Sequence, residues 1–410
     1  MACAAAAVLV MGVSSCSNTT SLLSSNSSTI TPSIAANKIK HVFVIVLENE
    51  NFSTTFGSAS KAPYLSKILT SQGALLTGYY GTGHVSLDNY ISMISGQAGT
   101  PQTTSDCTTY ADFAFTGITY QGSQAAGTGC VYPANIPTLP GQLTAAKLTW
   151  KGYMGDMGND PSRESAACGH PTLNSADLTQ VAEAPSAAVP LGDQYATRHD
   201  PFMYFHSIID SSDCQSHVVN LNANLQQDLS SISTTANFTF ITPSLCDDGH
   251  DAPCVDKRPG GLVSADAFLQ KWIPIITASP AYQQDGLIII NFDESSYASV
   301  SVSGGNENIT FNGATCCNQQ PGPNLGTYPL VETIALSPTS NYVLTYENYG
   351  GDNTGAVLLS PFIKPGTVSN VPYNHYSMLR SVEDIFGLPH IGYAGMDGLT
   401  PFGSDIFNNL

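Results

Sequence analysis

Two apolar runs in this chain end in oxygen ligands. Gly286 to Ile290 reads as a buried strand and is followed by Asn291, Phe292, Asp293 and Glu294; Val42 to Leu47 has the same character and is followed by Glu48 and Asn49. Strands that are apolar throughout, instead of at every second position, belong to sheets covered on both faces. In open α/β sheets, ligands bind at the carboxyl ends of the strands. Glu48, Asn49, Asp293 and Glu294 are therefore placed where a site forms, and four oxygen donors converging there suit a divalent cation.

The elements between these runs alternate between strand and helix, which predicts an α/β fold with a central, mostly parallel sheet sandwiched by helices. Tyr64, Leu65, Ile68 and Leu69 form a helical stripe stopped near Gly73, and Ala74 to Tyr80 is expected to be a second strand. Leu87, Tyr90, Ile91 and Ile94 predict a helix from Leu87 to Ser95, with Ser86 as N-cap and Gly96 as stop. Further strands are expected at Leu148 to Met154, Phe238 to Thr242 and Val357 to Ser360. Further helices are expected at Leu262 to Ile276, shortened by Pro274, and at Ser377 to Phe386. Residues 97–136 and 297–355 are rich in Gly and polar side chains and read as irregular, cysteine-bearing surface insertions.

Residues 1–16 are small and apolar and end in Val13, Ser14, Ser15 and Cys16, like a lipoprotein signal with its cleavage box, although no basic n-region precedes them. Residues 17–37 are rich in Ser, Thr and Asn and read as a tether, which leaves 38–410 as the folded domain. The expectation is an exported protein, either anchored to a membrane through a lipidated Cys16 or released. Ten cysteines fit that compartment. Setting aside Cys3 and Cys16, the spacing suggests Cys107 with Cys130, Cys246 with Cys254 and Cys168 with Cys214. The adjacent Cys316 and Cys317 then form either a vicinal disulfide or two bridges elsewhere. Asp and Glu outnumber Lys and Arg by 31 to 13, a formal net charge of −18. Such a field repels nucleic acid, and an anionic substrate would need local attraction.

Ser86 lies where helix N–H groups and the dipole favour negative charge, so an alkoxide or a phosphate would be stabilised there; on position alone an ordinary N-cap is the preferred reading, and the neighbours shift that balance. His84 and Asn89 are neighbours able to reach the same place. Cys246, Asp247, Asp248, Gly249, His250 and Asp251 follow a strand and read as a second ligand set or as a disulfide-tied polar loop. His375 precedes the last helix, where a histidine also serves as a cap.

Together, L-E-N-E-N-F from Leu47, H-V-S-L-D-N-Y-I-S-M-I-S-G from His84, Asp293 with Glu294, and N-H-Y-S-M-L-R-S-V-E-D-I-F-G-L-P from Asn374 resemble the bacterial and fungal phosphoesterase family. That family contains acid phosphatases and phosphatidylcholine-type phospholipases C, within the alkaline phosphatase superfamily. The resemblance spans about residues 39–410, including His199 to Phe205 and Leu245 to Asp251. It implies an alkaline-phosphatase-like sheet and one or two divalent metal ions on Glu48, Asn49, Asp293, Glu294 and Asp251. It also implies Ser86 as nucleophile, Asn89 on the substrate oxygen, and His84, His250 and His375 around the site, with His250 or His375 protonating the leaving group. The expected activity is hydrolysis of a small phosphate monoester through a phosphoserine. A phospholipase C is the alternative, disfavoured because the chain ends about twenty residues after Pro389 without further β-domains. A metal-binding surface lipoprotein without activity is a third reading. A Ser-His-Asp esterase is disfavoured because no G-x-S-x-G elbow appears.

Overall fold

The computed structural model describes residues 38–119, 121–337 and 340–409; the expected signal segment, lipidated Cys16 and tether lie outside the described residues. Eight strands form the main sheet: β1 (His41–Leu47), β2 (Ala74–Leu76), β3 (Trp150–Met154), β4 (Val218–Asn220), β5 (Phe238–Thr242), β6 (Gly286–Phe292), β7 (Ala356–Leu359) and β8 (Thr367–Ser369). Their spatial order is β8-β2-β7-β6-β1-β5-β3-β4. Every pairing is parallel except those that β7 makes with β2 and β6. The expected fold class, a mostly parallel sheet between helices, is the one observed.

Alternation along β1 explains why its sequence has no polar face. Val42, Val44 and Val46 pack into one hydrophobic layer and Phe43, Ile45 and Leu47 into the other, and all six are buried. The first layer holds α1 (Ser86–Ser95) and α3 (His375–Phe386), and the second holds α2 (Gly261–Thr277). Among the described residues no helix is long and apolar enough to cross a membrane.

Several expectations are corrected. The stretch Ala74 to Tyr80 splits: β2 ends at Leu76, and Tyr79–Tyr80 pairs instead with Tyr373–Asn374 in a separate ribbon. Ser86 is the first helical residue, and Val85 takes the cap position. Pro274 does not shorten α2, which runs on to Thr277; a proline in the last turn removes an amide hydrogen bond without stopping the chain. Residues 97–136 are not only surface, since Tyr110, Cys130, Val131, Tyr132 and Ile136 belong to the core. Residues 297–355 contain a four-stranded sheet built from Ser299–Ser303, Asn306–Phe311, Leu330–Ser337 and Ser340–Tyr346. Alternation of Ser and Val over 299–303 was its signal. The disulfides are Cys107–Cys130, Cys168–Cys214, Cys246–Cys254 and the vicinal Cys316–Cys317.

Because β6 is covered on both faces, truncating Ile289 leaves a cavity that the sheet cannot close. Ile289→Ala is expected to lose about 2–5 kcal/mol in denaturant unfolding; a loss below about 1 kcal/mol would contradict this packing.

Candidate active site

Three central strands and one helix deliver the site. β1 pairs with β6 so that Leu47 and Phe292 are in register, and the next residues, Glu48 and Asp293, therefore leave the sheet side by side. The junction is sewn by backbone bonds: Asp293 N donates to Leu47 O at 2.8 Å, and Glu48 N to Asp248 O at 2.9 Å. Asp248 lies in the loop that follows β5. Asn49 takes φ 52°, a left-handed conformation that Asn tolerates. Its N–H reaches Asp293 Oδ1 at 3.0 Å and its amide reaches Glu294 Oε1 at 2.7 Å.

The amino end of α1 closes the cluster. Ser86 Oγ donates to Glu48 Oε2 at 2.8 Å, and the Tyr90 hydroxyl, one turn on, donates to Glu48 Oε1 at 2.5 Å. Val85 holds φ 72° and ψ 138°, a conformation that a β-branched residue adopts only under compulsion and at a cost of roughly 1–3 kcal/mol. Its N–H donates to Glu294 Oε2 at 3.2 Å. The strained turn thus aims Ser86 into the acids while Glu294 anchors it. Asn89 spends its side chain on the same turn, accepting from Thr82 N at 2.8 Å and Gly83 N at 3.0 Å and donating to Gly83 O at 3.0 Å.

The histidines divide by environment. His84 Nδ1 bonds Glu294 Oε2, and its Nε2 lies 3.1 Å from Asp352 Oδ2. Burial would lower its pKa, but the two carboxylates raise it to about 9. His375 is buried and pushed down to about 4 by that burial. One of its nitrogens faces Asp293 O at 2.5 Å and the other the Tyr79 hydroxyl at 2.9 Å, so it positions the β6 exit. His250 is largely exposed, its Nδ1 3.8 Å from the half-exposed Asp251; neither joins the buried cluster. His199 does; the sequence placed it in a stretch that fits the family resemblance but gave it no role at the site. It stacks on Tyr90 at 5.2 Å, with nitrogens 3.5 Å from Glu48 Oε1 and 3.8 Å from Asp248 Oδ2. Burial, then the Arg198 charge, lowers its pKa.

The cluster is short of positive charge. Burial first, then a neighbouring carboxylate, raises the pKa of Glu48, Asp293 and Asp248. Asn49 Oδ1, Asp293 Oδ2, Asp248 Oδ2 and both nitrogens of His199 are buried without a hydrogen-bond partner. Unpaired buried carboxylates cost several kcal/mol each, and this oxygen and imidazole set fits a divalent cation. The tightest trio of metal-type ligands among the described residues is elsewhere, Cys246, Cys254 and Asp256, and its sulfurs are joined in a disulfide.

A sequence model of the phosphoesterase family matches residues 60–389. The chain belongs to that family. The match begins after β1, so Glu48 and Asn49 are joined to the rest of the site by the register of β1 with β6. The chain is 20% identical to a probable acid phosphatase of Kluyveromyces lactis over 86% of its own length and 59% of that protein. It therefore spans less than two thirds of that relative. It is 21% identical to a phosphatidylinositol-3-phosphatase of Mycobacterium tuberculosis over 86% of this chain and 79% of that one. Among solved structures, a protein of the alkaline phosphatase superfamily from Vibrio parahaemolyticus superposes with a TM-score of 0.47 at 11% identity, covering 87% of this chain and 68% of that chain.

His84 yields a pH test in metal-stripped protein. Its folded pKa, about 9, exceeds the unfolded value of about 6.5, so its stabilisation is complete below pH 6.5 and lost as pH rises through 9. Wild type is expected to lose roughly 1–3 kcal/mol of unfolding free energy across that window and His84→Gln much less. Parallel profiles for the two proteins would refute the triad of His84, Glu294 and Asp352.

Proposed function

We propose that this chain is a metal-dependent phosphoric ester hydrolase acting on phosphate monoesters, with Ser86 as the nucleophile. The observation that carries the reading is the Ser86 hydroxyl, seated on the first turn of α1 and donating to a buried carboxylate at 2.8 Å. A binding protein has no need of a strained turn that directs a hydroxyl into an acidic cluster. Asp293, Asp248 and His199, with Asn49 Oδ1, would hold the cation beside Glu48. Bound there, it would keep the carboxylates ionised and favour the serine alkoxide.

The remaining roles belong to this chain's own groups. Ser86 Oγ forms a bond to phosphorus as the bond to the departing alkoxide breaks and its own proton passes to Glu48 Oε2; the amino end of α1 favours the developing negative charge, and water then hydrolyses the phosphoserine to free serine and inorganic phosphate. Tyr90 fixes the Glu48 carboxylate, and Asn89 and Glu294 fix the turn. His375 has both ring nitrogens engaged and a lowered pKa, so the leaving-group proton falls to His250 at the exposed rim instead. Phosphatases stand among the relatives by name, which supports a monoester ahead of the phosphodiester of a phospholipase C. Four disulfides support an oxidising compartment as the place of work.

The experiment is turnover of a chromogenic phosphate monoester beside phosphatidylcholine, before and after chelation and metal add-back. Chelator-sensitive monoester hydrolysis is expected, and Ser86→Ala should lower kcat by roughly a thousandfold or more. Near-full activity in Ser86→Ala would remove the nucleophile assignment; cleavage of the lipid alone would replace phosphatase by phospholipase.

A further inference from the structure

With 31 acidic against 13 basic side chains, the surface field opposes an anionic substrate. One guanidinium nevertheless lies beside the acids. Arg198 sits in the short helical turn Thr197–His199, directly before the histidine stacked on Tyr90. Its Nε lies 3.5 Å from Asp106 Oδ2, and its Nη1 donates to Gln180 O at 3.1 Å. Asp106 Oδ1 in turn accepts the Leu87 N–H at 3.0 Å. One carboxylate therefore ties the guanidinium to the amide that follows Ser86. Arg198 keeps 12% of its side chain exposed, and among the described residues its Nη2 donates to no protein acceptor.

Charge relations agree with that geometry. Burial alone would weaken the Arg198 proton, and Asp106, Glu48 and Asp248 together hold it in place. Arg258, near the β5 exit, is spent on Asp247 at 2.6 Å and Asp256 at 2.7 Å, and Arg163 on the carbonyls of Asp193 and Val181.

We propose that Arg198 anchors the substrate's phosphate group, its free Nη2 hydrogen bonding a non-bridging oxygen while Asp106 orients the guanidinium toward Ser86. The proposal rests on the phosphate-ester reading above. A guanidinium suits the task because its planar donors match phosphate oxygens and its charge is permanent, whereas an ammonium is a point charge without that fork. Asp106 acts through Arg198 and is a positioning residue.

The test uses the full chain with inorganic phosphate as the probe. Phosphate Kd by calorimetry, KM and kcat for a chromogenic monoester, and Tm are compared for wild type, Arg198→Lys and Arg198→Ala. Loss of one or two charged hydrogen bonds should raise phosphate Kd and KM about tenfold in the Lys variant and about a hundredfold in the Ala variant. The fall in kcat should be smaller, and Arg198→Lys should keep the wild-type Tm. A purely structural arginine would lower Tm and leave phosphate Kd unchanged. Kd and KM within twofold of wild type in a folded variant, or a wild type that binds no phosphate, would overturn the assignment. Phosphate binding that depends on Arg198 in a protein that hydrolyses no ester would uphold the anchor and sink the hydrolytic reading. Hydrolysis with phosphate affinity indifferent to Arg198 would do the reverse.

Discussion

Glu48 and Asp293 leave neighbouring parallel strands side by side, buried and repelling each other. That repulsion is the constraint around which the rest is arranged. Parallel register forces the proximity, because residues one step past a paired position emerge together at the same sheet edge. Asp248 adds a third buried carboxylate from the adjoining β5 exit. The fold meets the resulting cost only in part, with the Ser86 and Tyr90 hydroxyls on Glu48 and two backbone N–H groups on Asp293. Asp293 Oδ2, Asp248 Oδ2 and Asn49 Oδ1 are left without a hydrogen-bond partner, a cost that the proposed cation would offset.

Around this core the chain places groups that hold others. Glu294 joins Asn49, His84 and the Val85 amide, so one carboxylate fixes both the β1 exit and the strained turn before α1. His375 fixes the backbone of Asp293 from the amino end of α3. Conformational strain at Val85 persists because it is over-determined from both sides, by Glu294 on its amide and by Asn89 across the turn. The Ser86 hydroxyl is thus held toward Glu48, and in the proposed reaction this would spare the entropy of orienting it.

Much of the fold was legible because its central strands are covered on both faces. A run such as Phe238–Thr242 or Gly286–Phe292 has no solvent side to blur its boundaries, and the helix ending at Gly96 carries an unambiguous stripe and stop. The acids at the strand ends followed from the same runs. What escaped was decided by long-range contact. His199 lies in a short irregular turn, and only its stack on Tyr90 brings it to Glu48, whereas His250, in a conspicuous Asp-rich cluster, ends up at the exposed rim. Tyr90 read as one member of an apolar stripe, yet its hydroxyl is what fixes Glu48. Asp106 and Arg198 lie 92 positions apart and meet only when the 97–136 segment folds into the core instead of over it. The sheet within 299–346 was masked by the Gly, Asn and Pro that form its turns.

The central claim is that the carboxylate cluster is built for a cation. Thermal unfolding of metal-stripped protein during titration with divalent ions, with bound metal counted by elemental analysis, tests it most directly. The account predicts stoichiometric binding that raises Tm, worth about 2.7 kcal/mol at a hundred times Kd, and loss of that gain in Asp293→Asn. A stripped protein that binds no divalent ion and unfolds at the same temperature with or without it would contradict the account.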